Sequence, residues 1–326
     1  MILPYLLRML CLCFASFFLL NAAAALLVRV FANSAIRLAE SRTPCTAARL
    51  LLALRLLPSA LAILFVLALC VPSYLWLEPV ATSERVGLVS VLLGILGAAT
   101  WLLSVARTAR SLFASLRHNS LCRLVGQELY LAGESSPAVV IENEAPLLAL
   151  SGVIHPRLLI SRGVLRSLSD DELDAVLRHE QAHETSRDNA KRLLILLAPD
   201  VLPFVAMNRA FESSWAKFAE WAADDLAVGG DSSRAVSLAA ALVHVARMGT
   251  SPRLPVLSTS LLACDRDLSA RVNRLLGFLP AEGAAAKRPR HPLCNASFVL
   301  TACVAALLLG PPALAAVHEL LELLLL

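Results

Sequence analysis

Four stretches of the chain are apolar over a length that can cross a lipid bilayer. They run from about residue 9 to 28, 54 to 75, 86 to 105 and 296 to 317. Since a helix needs about 20 apolar residues to span the hydrocarbon core, the pattern predicts four transmembrane helices. Gly310, Pro311 and Pro312 interrupt the fourth stretch, where proline is expected to kink the helix or end it early.

The region between the third and fourth stretches has the pattern of a folded domain with a water-facing surface. Short aliphatic and β-branched runs predict strands at 137–142 and 157–161, with a third strand between them. Longer periodic segments predict helices at about 170–187, 211–228, 232–248 and 266–277. We therefore expect an α-helical membrane protein with a mostly helical α+β domain and a small antiparallel or mixed sheet. The expected division is a membrane domain at 1–107, the α+β domain at 108–294, and the fourth span with a short tail at 295–326.

Polar residues inside apolar segments need a partner or a route to water. The run 193–207 contains Pro199, Asp200 and Pro203, so it predicts a buried or membrane-dipping hairpin rather than a crossing. Arg55 in the second span is expected to extend its side chain to the cytoplasmic surface. Asn21 in the first span is expected to hydrogen-bond to another helix.

The basic residues orient the chain. They lie between the first and second spans and on both flanks of the central domain: Arg37, Arg42, Arg49, Arg107, Arg110, Arg117, Arg123, Lys287, Arg288 and Arg290. By the positive-inside rule, the first loop and the central domain are cytoplasmic and both termini lie outside. A cleaved signal peptide is the alternative for the first stretch, but only Arg8 precedes its apolar run, whereas signal peptides carry their positive charge in front.

Composition supports a membrane protein and narrows its chemistry. Hydrophobic residues make up 58% of the 326 residues and the net charge is +4. This small basic excess flanks the apolar runs, so it does not indicate direct binding of nucleic acid. The eight cysteines include no Cys-x-x-Cys pair, which gives no sign of a cysteine metal site or a disulfide framework.

Residues 177–188 read LRHEQAHETSRD and contain His179, Glu180 and His183 in a His-Glu-x-x-His pattern. Ser169 followed by Glu172 is a capping box, which predicts that a helix begins at Asp170 and carries the motif. Histidines four residues apart share one helix face, so both imidazoles can bind one zinc ion while Glu180 acts as the general base toward a water molecule. The alternative is a solvated helix face with two surface histidines.

A third ligand is expected on a second helix. Residues 218–226 read FAEWAADDL, in which Glu220 and Asp224 are four residues apart. Glu220 is the candidate third ligand, and Asp224 is expected to accept a hydrogen bond from a ligating histidine. Taken alone, this pair is more typical of surface carboxylates on an amphipathic helix.

The motifs LSDDELDAVLRHEQAHETSRDN and EWAADDLA resemble the membrane-integrated gluzincin metalloproteases, most closely the BlaR/MecR type and more distantly the HtpX and CAAX-protease type. The resemblance extends to GVIHPRLLISRGVLRSL upstream, LSARVNRLLG downstream and the order of the spans. It implies a gluzincin-like domain with His179, His183 and Glu220 as Zn²⁺ ligands, Glu180 as general base and Asp224 behind a ligand. It assigns no role to Arg187, Asp188 and Asn189. It also implies a location in the bacterial inner membrane, cleavage of a cytoplasmic protein such as a winged-helix repressor, and self-cleavage. The sequence contains no sensor domain after the fourth span, so β-lactam sensing does not carry over.

The sequence therefore predicts a membrane-bound zinc endopeptidase, with the lipid bilayer and a peptide or protein substrate as its partners. We expect the substrate to add as a strand to an exposed sheet edge near 145–161. Regulated cleavage of a transcriptional repressor is the favoured use, and quality control of membrane proteins is the alternative. The non-enzyme alternative is a catalytically silent transducer or scaffold with the same fold. The sequence does not indicate an oligomeric state.

Overall fold

Three long helices form the N-terminal part of the computed structural model, which describes residues 4–79, 86–130, 137–201, 206–249, 255–260, 268–277 and 311–325. Helix α1 spans Tyr5–Glu40 and α4 spans Leu88–Val125. Between them, α2 (Pro44–Phe65), a π-helical segment (Val66–Cys70) and α3 (Val71–Leu77) follow one another without a break. All three rods are long and apolar enough to cross a membrane, as expected for the first three spans.

The outward faces of these rods suit a lipid environment. Large apolar side chains on α1 and α4 are more than half exposed, including Leu27, Phe31, Leu102 and Leu103. A continuous surface of large apolar side chains favours aggregation in water. Against lipid tails, the same surface carries no such cost. The helices extend beyond the predicted spans. Helix α4, for example, continues from the third span into an arginine-containing stretch and ends at Val125.

The predicted fourth span lies mostly outside the described residues. Its end is described and belongs to helix α11, Pro311–Leu325. A helix that starts at Pro311 agrees with the preference of proline for the first helical turn, where its missing N–H costs nothing.

The central region contains a five-stranded sheet. Its strands are β1 (Gln127–Leu129), β2 (Ala138–Ile141), β3 (Leu148–Ser151), β4 (Arg157–Ser161) and β5 (Ser258–Ser260), in the spatial order β1-β2-β4-β3-β5. The pairing of β2 with β4 is parallel and the other pairings are antiparallel. The predicted mixed sheet is therefore confirmed, with β2 and β4 at the expected positions and β3 between them in sequence.

The expected free edge near 145–161 is wrong. Strand β3 pairs with β4 on one side and with β5 on the other, with Leu150 opposite Thr259. The hydroxyls of Ser151 and Ser258 also lie 2.9 Å apart and are buried. The segment 258–260 therefore covers the edge of β3, and the outer strands of the described sheet are β1 and β5.

Six helices of the described residues follow or flank this sheet. They are α5 (Arg162–Ser167), α6 (Asp170–Ser186), α7 (Asp188–Leu197), α8 (Ala206–Val228), α9 (Ser232–Arg247) and α10 (Leu268–Leu276). One face of the sheet, α6, α9 and α10 share a core in which Ile160, Val176, Leu238, Leu242 and Leu275 are buried. This core fixes α6, the helix that carries the His-Glu-x-x-His motif.

The segment around Pro199 lies against the long apolar helices. Helix α7 ends at Leu197, and the Asn21 side-chain amide donates a hydrogen bond of 3.1 Å to the Pro199 carbonyl. Asn21 was expected to bond to another helix, but its partner is the non-helical segment after α7. The expectation for Arg55 is wrong: its side chain is only 6% exposed and binds Asp200 at 2.6 Å and Glu212 at 3.1 Å, because two carboxylates of the central domain reach it inside the structure.

Candidate metal centre

Helix α6 begins where the capping box predicts. The Ser169 backbone N–H donates to the Glu172 carboxylate at 2.9 Å, and the Glu172 N–H donates to the Ser169 hydroxyl at 3.4 Å. Three carboxylates in the first turn also suit the positive end of the helix dipole. These contacts stabilise the start of α6, in which His179 is the tenth residue.

The three candidate ligands meet between α6 and α8. His179, His183 and Glu220 are each at most 1% exposed. The Nε2 atoms of the two histidines lie 3.2 Å apart. The Glu220 Oε2 lies 3.5 Å from His179 Nε2 and 3.6 Å from His183 Nε2. The structure thus brings together, as one potential metal-binding group, the residues that the sequence singled out on two separate helices.

This triangle has the dimensions of one face of a tetrahedral metal site. Ligand atoms bound tetrahedrally at about 2.0–2.1 Å lie about 3.3–3.4 Å apart, close to the three observed separations. Both oxygens of Glu220 are buried without a hydrogen-bond partner among the described residues. Arg271 of α10 lies 3.3 Å from the Glu220 Oε2 and supplies a counter-charge, but it leaves lone pairs of the carboxylate free to bind a metal. The donor set therefore fits a divalent cation that accepts electron pairs from all three side chains.

The charges of the site also favour a cation. Burial alone would lower the pKa of His183, but Glu220 and Asp188 raise this pKa to about 10. Burial alone would raise the pKa of Glu220, but His183, His179 and Arg271 hold it well below its usual range. A buried position that holds protons this strongly is one where a metal ion can replace them.

Glu180 lies beside the ligands but is not one of the three. Its side chain is 1% exposed and neither carboxylate oxygen has a hydrogen-bond partner among the described residues. Burial raises the pKa of the Glu180 carboxyl to about 7, against the opposing effect of His179 and His183. A carboxyl with a pKa near neutrality can both accept and return a proton at physiological pH.

The outer nitrogen of each histidine faces a carboxylate. His179 Nδ1 lies 3.0 Å from the Asp224 Oδ1, which agrees with the place expected for Asp224 behind a ligand. His183 Nδ1 donates to the Asp188 Oδ2 at 2.8 Å, and Lys191 donates to the other oxygen of Asp188 at 2.7 Å. The bond to Asp188 fixes the tautomer and orientation of the His183 imidazole, whereas the contact of His179 with Asp224 is a close approach without the geometry of a hydrogen bond.

The structure gives each residue of the Arg187-Asp188-Asn189 sequence a place at the junction of α6 and α7. Arg187 adopts a left-handed backbone with φ 55°, which turns the chain between the two helices. The Asn189 amide donates to the carbonyls of Leu150 at 3.0 Å and Gly152 at 2.8 Å. These bonds attach the junction to the end of β3, so that Asp188 stays against His183.

Arg271 on α10 is a residue of this site that the sequence did not single out. Its guanidinium is 2% exposed, donates to both oxygens of Asp224 at 2.7 and 3.0 Å, and lies 3.3 Å from the Glu220 Oε2. It thereby orients the candidate third ligand and the carboxylate behind His179. The sequence signal for Arg271 is its spacing. It precedes Leu275 by four residues, so both side chains lie on the same, buried face of this short helix.

We expect Arg271→Gln to weaken metal binding by about 10- to 100-fold, the usual cost of losing a partner of a ligand. Without the guanidinium, two buried carboxylates lack their counter-charge, and one of them takes up a proton instead. The measurement is zinc competition against a chromophoric chelator. Arg274→Gln is the matched control, since Arg274 lies on the same helix and pairs with Asp225. Equal affinities for Arg271→Gln and the wild type would contradict this role.

A cavity of about 470 Å³ opens beside His183 at the end of β3. Besides His183, its walls include apolar groups and three charged side chains: Leu150, Val153, Ile154, Glu184, Arg187 and Asp188. Of the candidate ligands only His183 lines this space, whose size can receive a side chain of a bound peptide.

Comparison with known proteins addresses the domain that carries this site. No curated protein sequence matches the chain at a significant level. Residues 127–251, which contain the motif helix and Glu220, match Peptidase family M48. This match, together with the buried His179–His183–Glu220 group, indicates that the central domain is a metallopeptidase domain.

Proposed function

We propose that this chain is a zinc endopeptidase of the bacterial inner membrane that cleaves a cytoplasmic protein during regulated signalling. The observation that carries the proposal is the buried triangle of two imidazole nitrogens and one carboxylate oxygen, with edges of 3.2, 3.5 and 3.6 Å. The match of residues 127–251 to a metallopeptidase family supports it. The three long apolar helices support a membrane location.

Zinc is the metal that this donor set favours. Two neutral imidazoles and one carboxylate, with a fourth position left for water, form the usual set of a catalytic zinc site. His179, His183 and Glu220 would hold the ion, Asp224 and Asp188 would orient the imidazoles, and Arg271 would orient Glu220. When bound, zinc lowers the pKa of a water molecule toward 7 and polarises the carbonyl that is attacked.

Glu180 supplies the proton transfers of peptide hydrolysis. Its carboxylate accepts a proton from the attacking water and later delivers it to the nitrogen of the departing amine, so that each product leaves with the required hydrogen. Burial beside the ligands keeps this carboxyl away from bulk water, which favours a direct proton exchange with the attacking water. The cavity beside His183 receives a neighbouring side chain of the substrate.

The arrangement of basic residues supports a cytoplasmic site. Arginines follow the first and third spans, so the positive-inside rule favours a cytoplasmic central domain with both termini outside. In this orientation the substrate is a cytoplasmic protein. The resemblance to the BlaR/MecR type favours a winged-helix repressor, with self-cleavage as part of the same response.

The substrate range separates regulated signalling from quality control. We expect proteomics of new protein N-termini, in cells with the wild-type chain or with Glu180→Ala, to find one cytoplasmic protein cut at one site only in the wild type. The reason is that a switch acts by inactivating a single regulator. Dozens of cleaved membrane proteins would instead support quality control and contradict the signalling role.

A catalytically silent transducer is the remaining alternative. It shares the fold and the membrane helices but needs neither a metal nor Glu180. The complete set of His179, Glu180, His183 and Glu220 in one buried place favours an enzyme. Purified protein that contains no metal, with identical fragments from the wild type and Glu180→Ala, would instead favour the transducer.

A further inference from the structure

The C-terminal end of α7 and the two residues that follow it are held by side chains from all three long apolar rods. The last carbonyls of a helix have no partner within the helix, and two donors of α4 supply one: Ser104 bonds to Leu196 and Leu197, and Arg107 bonds to Leu196 and Ala198. Asn21 of α1 and Ser59 of α2 donate to the carbonyl of Pro199, just beyond the helix. Their distances range from 2.7 to 3.4 Å. We call these donors, together with Arg55 and Asp200, the membrane clamp.

Asp200 is the charged centre of the membrane clamp. One of its oxygens accepts from Arg55 of α2 at 2.6 Å and the other from Arg107 of α4 at 2.8 Å. Arg55 and Asp200 are only 6% and 12% exposed, so this contact is shielded from water and weakly screened. The carboxylate therefore ties two membrane helices to the same point after α7.

The other end of α7 contacts a candidate metal ligand. Asp188, the first residue of α7, is 3% exposed and accepts the hydrogen bond from His183 Nδ1 at 2.8 Å. A helix of ten residues is about 15 Å long and is stiff over this length. Helix α7 is thus a short strut between the membrane clamp and the imidazole of His183.

A second route leads from the same arginine to Glu220. Arg55 also binds Glu212 on α8 at 3.1 Å, and Glu220 lies two turns further along that helix. Between these two residues, Trp215, Phe218 and Ala219 pack in one buried cluster with Leu51 of α2. Helix α2 therefore contacts the element that carries the third candidate ligand as well as the end of the strut.

We propose that the membrane clamp positions the metal ligands, so that the relative placement of α2 and α4 sets the geometry of the metal centre. Asp200 acts through α7 on His183, and Arg55 acts through α8 on Glu220. Metal sites tolerate ligand distances that differ by only about 0.2 Å from the ideal, so a small shift between these membrane helices changes the affinity for the ion. This inference rests on the proposed function in one respect, that the three ligands bind a metal.

The test compares two helix-end aspartates in the full-length protein in nanodiscs. Asp200→Ala removes the centre of the clamp, whereas Asp231→Ala removes the N-cap of α9, where Asp231 accepts from the N–H groups of Ser233 and Arg234. We expect Asp200→Ala to weaken Zn²⁺ binding by at least about tenfold, the lower end of the range for a lost hydrogen-bond partner of a ligand, because Asp200 acts on the ligand only through α7. It should also change the visible spectrum of bound Co²⁺, while Asp231→Ala leaves both unchanged. Spectra are taken on monodisperse protein, so that a fall in folded fraction does not count as an effect.

A milder variant keeps the inference testable if Asp200→Ala does not fold. Asn21→Leu removes one donor of the clamp inside a membrane helix, and we expect Zn²⁺ affinity to fall by up to about tenfold, as for one hydrogen bond. Wild-type affinity and an unchanged Co²⁺ spectrum in the folded variants would overturn the clamp while leaving the metallopeptidase proposal intact. A wild-type protein that binds no Zn²⁺ would overturn both.

Discussion

Replacement of Glu180 by glutamine is expected to reduce peptide hydrolysis by about 100- to 10,000-fold, the range for loss of a general base, while the metal stays bound. Glutamine has the same shape but cannot accept the proton of the attacking water. Since Glu180 is not one of the three grouped ligands, metal content should stay at the wild-type level. The measurement pairs hydrolysis of a fluorescent denatured protein with elemental analysis of the same samples.

The control for this experiment lies on the same helix. Asp174→Asn also neutralises a carboxylate of α6, but Asp174 is on the exposed face and pairs with Arg178 at 2.8 Å. It should retain both activity and metal. A Glu180→Gln protein that still cuts at more than a tenth of the wild-type rate would remove Glu180 from the chemistry.

Replacement of Glu220 by alanine is expected to weaken metal binding by more than about 100-fold, beyond the usual cost of losing an indirect partner. It leaves two imidazoles to hold an ion that binds best with three protein donors. A chelator should inactivate the wild type, and added Zn²⁺ should restore activity to the wild type but not to Glu220→Ala.

Asp225→Ala is the matched control, since Asp225 lies on the same helix but pairs with Arg274 on α10. It should bind one metal ion per chain, like the wild type. If purified Glu220→Ala also keeps one tightly bound ion per chain, the third ligand is a different residue and the proposed triangle is wrong.

The sequence predicted the parts of the site that depend on local rules. The capping box fixed the start of α6 at Asp170, and the spacing of four placed His179 and His183 on one face. Glu220 was predicted by chemistry, as the donor that two histidines lacked. The structure places all three within a few ångströms of one another, although no local pattern specifies how α6 and α8 approach each other.

The parts that the sequence did not predict depend on contacts between distant residues. Arg55 was expected to reach water, because its partner Asp200 follows it by 145 positions and cannot be recognised from spacing. Arg271 binds Asp224 from 47 positions away. Strand β5 has only three residues, Ser-Thr-Ser, and its pairing with β3 supplies the only sign that it is a strand. The burial of Arg55, the role of Arg271 and the pairing of β5 all depend on residues that are distant in the sequence.

The length of α7 limits where a substrate can be cut. Ser104, near the end of the third span, bonds to the last carbonyls of α7, and ten residues further back Asp188 contacts His183. The candidate metal centre therefore lies about 15 Å, one length of α7, from the end of the third predicted span. An extended polypeptide covers this distance with about five residues. A substrate must thus offer an unfolded segment of at least about five residues, since its folded part cannot enter the space between the site and the end of that span.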